Sequence, residues 1–283
     1  MPPRRTPTAR QERLGVELRK MREAAGLKAT EAASLLGVNS VQISQIEAGI
    51  AGVSEERLRR LAAHYACSDE DLIAALVKMA TGRTRGWWEE YRGSLPHPFL
   101  DLSELEHHAS LRWDVDFLHV PGILQTADYA RALFSYVNPQ FPDEEIQRWV
   151  DHRMRRRVIV ERPQPIPYEA VVHEAALRIK VVDNVGMRAQ LTHILDLTES
   201  SHVTVRVIPF AVTGFAGAGS AMVYAGGPVT QLDTVVRDTP HGTVFVDAEA
   251  QLSHFRTLFR RVEEAAFEPE RSREFIHQLA KEL

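Results

Sequence analysis

Apolar residues recur at helical spacing five times within the first eighty positions. Leu14, Leu18, Met21 and Ala25 line one face of a first helix, which Gly26 ends. A second helix runs from about Ala29 to Leu36 and stops at Gly37. Asn39 is placed to cap a third, with Gln42 in the capping-box position and Gly49 closing it. Ser54 starts a fourth, whose Leu58, Leu61 and Tyr65 share a face. Ser68 with Asp71 is expected to cap a fifth, burying Leu72, Leu76 and Met79. Before these, residues 1–12 are polar, with Pro2, Pro3 and Pro7, and predict a flexible arm. An all-α five-helix domain over 13–80 follows from this pattern.

Thr81–Gly86 is small, basic and without apolar anchors, and predicts a linker over 81–86. Beyond it the periodicity changes, and residues 87–283 predict an α+β domain. Val203, Val205 and Val207 alternate with Thr204, Arg206 and Ile208, and Pro209 ends this strand. Gly214–Gly219 predicts a Gly/Ala turn before a strand at Ala221–Ala225. Strand-like runs follow near Leu232–Val236 and Thr243–Val246, and helices at Glu249–Ala266 and Glu270–Leu283 finish the chain. Another strand is expected to end near Val120, with Pro121-Gly122 turning the chain and a helix starting close to Thr126.

Net charge sharpens this division. Residues 1–65 hold 11 Lys and Arg against 7 Asp and Glu, or +4; the remainder holds 23 against 31, or −8. A basic module on an acidic body suits a DNA-contacting unit joined to a domain with another task. A single cysteine, Cys67, excludes an internal disulfide. The N-terminus has no apolar run after its basic residues, and no stretch reaches the ~18 apolar residues of a membrane span. A cytoplasmic protein, associated with the nucleoid when bound to DNA, is expected.

Leu18–Leu27, followed by Leu36-Gly-Val-Asn-Ser-Val-Gln-Ile-Ser-Gln-Ile-Glu-Ala-Gly49, carries the most informative spacing. Gly37 permits a tight turn between the second and third helices, while Val38, Ile43 and Ile46 pack the third onto the core. Ser40, Val41, Gln42, Ser44 and Gln45 are left toward solvent or a groove. These stretches resemble the phage-repressor-like (XRE-type) helix-turn-helix regulators, departing from the pattern Gly-Val-Ser-x-x-x-Ile-Ser-x-Ile-Glu-x-Gly only at Asn39. The resemblance implies a recognition helix whose N-terminal residues reach base edges in the major groove. Gln45 could then pair with an adenine and Val41 contact a thymine methyl. It also implies that Arg22 and Glu47 form a partly buried brace between helices one and three, against the alternative of two separate surface charges. The family's Thr cap and phosphate-contacting Gln at helix two are here Lys28 and Ala29; Ala29 cannot make that bond, and Lys28 is left to supply charge.

Val120-Pro-Gly-Ile-Leu-Gln-Thr-Ala-Asp-Tyr-Ala-Arg-Ala-Leu133, with His173–Leu177 and Val207–Phe210, resembles the C-terminal domain of actinobacterial antitoxin-like regulators. That resemblance implies a small partner protein. Within the segment Leu124, Tyr129, Ala130 and Leu133 are expected to pack inward, leaving Gln125, Asp128 and Arg131 as the partner-binding residues.

Several other chemistries are weighed and set aside. His173-Glu174 begins a zinc-protease motif, but Leu177 replaces the second ligand. The neighbours His107 and His108 should diverge. Gly217-Ala-Gly219 lacks the following helix and third Gly of a nucleotide loop and reads as a flexible turn, with a lid over a pocket as the alternative. Arg153-Met-Arg-Arg-Arg157, preceded by Asp143, Glu144, Glu145 and Asp151, predicts a solvated helix with internal ion pairs rather than a second nucleic-acid patch. Trp87, Trp88 and Trp113 suit a pocket, a partner anchor or plain core. No metal, no cofactor and no enzymatic activity are expected. The sequence thus predicts a sequence-specific transcriptional regulator, binding a double-stranded DNA operator as a homodimer, with no membrane partner. A ligand-sensing repressor with a small-molecule pocket in its C-terminal domain is the alternative.

Overall fold

The computed structural model describes residues 7–82, 85–216, 221–239 and 242–283. Two compact units divide the chain: Met1–Glu90 with His97–Leu105, and Tyr91–Pro96 with Glu106–Leu283.

In the first unit the helices are α1 (Ala9–Ala24), α2 (Ala29–Leu36), α3 (Ser40–Glu47), α4 (Glu55–His64) and α5 (Glu70–Thr81). The first turns of α6 (His97–His108) belong here too, and Asp101 accepts the Ala9 N–H at 3.1 Å. Leu18, Ile43, Leu58, Leu61 and Leu76 form the innermost core. α1 begins inside the stretch expected to be an arm. The reason is a reciprocal capping box: Thr8 Oγ1 accepts from the Gln11 N–H, and Gln11 Oε1 accepts from the Thr8 N–H at 3.0 Å. The remainder of that arm, residues 1–6, lies outside the described residues. Ser54 caps α4 as expected, whereas α5 is capped by Asp69 rather than Ser68. The Asp69 carboxylate stands three residues before Leu72, whose N–H it accepts at 2.9 Å. Of the expected linker, Thr81 still belongs to α5, and residues 83–84 lie outside the described residues.

Among the described residues of the second unit, six strands form one sheet in the order β3-β2-β1-β4-β5-β6. β1 (Leu111–Asp116), β2 (Tyr168–His173) and β3 (Val203–Ile208) are parallel. Parallel neighbours need long crossovers. α7 (Ala127–Val137), α8 (Asp143–Arg155) and α9 (Val158–Glu161) separate β1 from β2 in sequence; α10 (Glu174–Arg178) and α11 (Asn184–Leu197) separate β2 from β3. β4 (Met222–Gly226) returns antiparallel beside β1, followed by β5 (Thr234–Thr239) and β6 (Gly242–Val246). α12 (Glu249–Glu264) and α13 (Pro269–Glu282) complete the unit. The expected turn at Gly214–Gly219 falls partly outside the described residues, and Gly217-Ala-Gly219 wholly so.

Alternation along β1 gives the sheet two unlike faces. Val115, with Val171, Tyr224 and Val235, packs against Leu252, Phe255 and Phe259 of α12. Trp113 stacks on Tyr224 and Phe259 at centroid distances of 4.6 and 4.7 Å, which is core packing. The opposite face carries Arg112, Asp114 and Asp116. There Arg112 donates twice to Asp114, at 2.8 and 2.9 Å, and once to Glu106 of α6. Tyr168 donates to Asp114 at 2.8 Å, and Arg156 donates to both oxygens of Glu106 at 2.5 and 2.9 Å.

This buried network corrects the expectation for Arg153–Arg157. Arg156 is buried, and Arg153 and Arg157 are only part-exposed, because one side of α8 lies toward the unit's interior instead of standing in solvent. The expected strand end near Val120 is also displaced. β1 stops at Asp116, whose carboxylate accepts the N–H groups of Leu118 and His119 and bends the chain there. The rings of His107 and His108 do not diverge but meet edge-on at 5.0 Å. His173 Nδ1 accepts the Ala175 N–H at 3.1 Å, capping α10, and Leu177 is buried.

Candidate nucleic-acid interface

Local chemistry fixes the turn between α2 and α3. Gly37 adopts φ of 74°, the left-handed conformation that a glycine tolerates best, and closes α2. The Val38 N–H returns to the Ala33 carbonyl at 2.9 Å, satisfying one of the last carbonyls of the helix. Two residues later Asn39 caps α3, its side-chain oxygen accepting the Gln42 N–H at 2.8 Å.

Ile43 and Ile46 are buried, which turns the other side of α3 outward. Val41 is 61% exposed, Gln42 and Ser44 are exposed, and Ser40 and Gln45 are half-buried. The Ser44 hydroxyl donates to the Ser40 carbonyl at 3.0 Å. Among the described residues the carboxamides of Gln42 and Gln45 make no hydrogen bond, so both can present a paired donor and acceptor to an external group. Asn39 is exposed but has committed its oxygen to the cap. Lys28 is exposed at the start of α2, where its backbone N–H is held by the Glu31 carboxylate at 2.6 Å. That bond uses the backbone N–H and leaves the Lys28 ammonium outside the cap.

Arg22 and Glu47 meet as a bidentate pair, Nε to Oε1 at 2.6 Å and Nη2 to Oε2 at 2.9 Å. Arg22 Nη1 also donates to the Leu27 carbonyl at 2.6 Å, joining α1, the α1–α2 turn and α3. Their hydrogen bond is the main reason the guanidinium is held above its ordinary range. Nearby Tyr65 is pushed up to about 12, first by burial and then by the Glu47 charge. Gly15 allows the close approach of α1 and α3. A Cβ there would stand 2.4 Å from the Glu47 carbonyl oxygen.

Sequence reasoning passed over Ile50, which is 55% exposed three residues beyond α3, and the exposed Arg57 and Arg60 of α4. Arg59, on the same helix, is occupied by Glu55 at 2.9 Å. These arginines were legible as charge, but their placement depends on how α4 packs.

The residues expected to meet a partner are not brought together on one surface. Gln125 is 2% exposed: its Nε2 donates to the Val120 carbonyl at 2.7 Å, and its Oε1 accepts from Arg153 at 2.7 Å. The Pro121–Leu124 segment ends in a 3-10 turn rather than helix, which swings Gln125 inward before Thr126 caps α7. Asp128 is exposed, and the half-buried Arg131 donates to Gln147 of α8.

Among the described residues no helix is long and apolar enough to cross a membrane. Comparison with curated proteins and with solved structures gives no significant match. Residues 13–76, which span α1 to the middle of α5, match a helix-turn-helix domain. The mixed sheet and its helices match a domain of unknown function (DUF5753) over residues 99–278, well over half of the chain, and the chain belongs to that family.

Proposed function

We propose that this protein is a DNA-binding transcriptional regulator that reads its operator through the outward face of α3. One observation carries the reading: a short helix, braced by Arg22–Glu47, turns Val41, Gln42, Ser44 and Gln45 outward, with two carboxamides unused. Such side chains suit base edges in a major groove, and the exposed Lys28 suits a phosphate. One recognition helix reads few bases, so the working form is a homodimer on a partly palindromic site, at the nucleoid of the cytoplasm. The C-terminal unit regulates by binding rather than by catalysis. Its resemblance over Val120–Leu133 supports an antitoxin-like role with a small partner protein, of which Asp128 offers the exposed contact.

Selection of bound duplexes from a random pool by the full chain tests this reading. A palindromic consensus with half-sites one or two helical turns apart is the expected result. Recovery of unenriched sequence would overturn it.

A further inference from the structure

The charges between α8 and the sheet do not balance. Glu106 and Asp114 are shared between Arg112 and Arg156, two carboxylates for two guanidiniums, with distances of 2.5–2.9 Å beside one shorter bond. Arg153, one turn before Arg157 on the same side, has no carboxylate within ion-pair distance among the described residues. The residues outside the described set carry no acidic side chain either. What Arg153 does have is the Gln125 oxygen at 2.7 Å and the face of Phe134 at 4.8 Å, while its Nε is buried without a partner. Arg157 donates to the backbone carbonyl of the same Gln125 at 2.9 Å, and its Nε is likewise buried and unpartnered. Among the described residues the one carboxylate within ion-pair distance of it is the half-exposed Glu161 at 3.7 Å. His193 on α11, one turn beyond the Gln190 that holds Leu124 and Thr126, leaves a third buried nitrogen, Nε2, without a partner.

A largely buried guanidinium without a counter-charge is unfavourable, and each unsatisfied N–H adds to that. Its surroundings increase the cost. Burial first, then repulsion from Arg156 and Arg112, pull Arg153 down to about 9, and the more distant Asp238 and Asp116 offset this only in part. Gly122 lies so close that a Cβ would stand 2.9 Å from Arg153 Nη1, so the chain leaves room for the guanidinium at that turn.

We infer that Arg153 and Arg157, joined through Gln125, form an oxyanion-binding site in the C-terminal unit, which takes the carboxylate or phosphate group of a small solute. A carboxylate or phosphate is the counter-charge that guanidiniums bind best, because two of its oxygens accept parallel N–H bonds. Both arginines keep partial exposure. The site does not depend on DNA binding, and it lies among residues away from α3 in the sequence.

Isothermal titration of the full chain with inorganic phosphate, and separately with malonate, each against chloride at matched ionic strength, tests the inference. One of the two should bind saturably, one per chain, and raise the melting temperature; which one distinguishes phosphate from carboxylate. Arg153→Gln should weaken that binding at least tenfold and leave the melting temperature insensitive to the anion. Arg157→Gln should act in the same direction. Hydrogen exchange of the wild type needs no variant: the anion should protect the C-terminal turn of α8 and residues 121–126. Absence of saturable binding by either anion, an effect equalled by chloride, or unchanged affinity in a folded Arg153→Gln would overturn the site. So would protection confined to the helix-turn-helix unit.

Discussion

At the scale of single residues, the decisive feature is whether a charge finds its partner after burial. Arg22 and Glu47 lie 25 positions apart, and each side chain is about one-tenth exposed where they meet. Removing one partner of such a pair leaves the other charge stranded, so Glu47→Ala should destabilise the N-terminal helices by about 3 kcal/mol. Hydrogen exchange of α1 and α3 amides in the full chain reads this directly, and undiminished protection would count against the brace. His152 is a different case: it is buried, with its ring 5.0 Å from Tyr91. Burial first, then Arg156, Arg153 and Arg155, pull its value down to about 3 from the ordinary 6.5. The unfolded chain therefore takes up a proton that the folded chain refuses. This contribution is present above about pH 6.5 and is lost as pH falls toward 3. His152→Gln should flatten the fall of the urea midpoint between about pH 7 and pH 4. A slope equal to wild type would show that the ring titrates normally.

Elements show where local chemistry decides and where packing overrides it. A glycine inside a helix ordinarily gains about 0.5–1 kcal/mol on replacement by alanine. Gly15 should do the reverse, because its Cβ would meet the backbone of Glu47 at 2.4 Å and α1 would have to move off α3. Gly15→Ala is expected to cost about 1–3 kcal/mol in thermal or urea unfolding; a stabilised variant would mean that α1 and α3 are not so closely packed. The turn and cap at Gly37 and Asn39 were legible in the sequence, since a left-handed glycine and an Asn cap announce themselves through residue type alone. Thr8-x-x-Gln11 carried the same kind of signal, but three prolines nearby masked it. The burial of the polar face of β1 was hidden for a deeper reason. Its charged positions Arg112, Asp114 and Asp116 alternate as a solvent-facing side would, yet Arg112 and Asp114 are buried against Glu106, Arg156 and Tyr168. Period-two patterning tells which residues share a face, not which face is covered. Gln125 was missed for a related reason, as no local signal shows that a 3-10 turn points it at Arg153.

For the whole molecule, the helix-turn-helix domain stands apart from a domain of unknown function, and the excess positive charge lies within residues 1–65. Contacts to phosphates act on any duplex, and the affinity they give falls steeply as salt rises. Sequence preference is a separate quantity and must come from α3. The central claim therefore rests on a ratio, measured by fluorescence anisotropy at fixed salt: affinity for a selected operator over affinity for its scrambled duplex, in wild type and in Gln45→Ala. Wild type should favour the operator by at least about tenfold, and Gln45→Ala should lose about 1–3 kcal/mol on the operator but little on the scrambled duplex. Equal losses on both duplexes, or no preference in the wild type, would contradict the assignment of α3 as the helix that reads sequence.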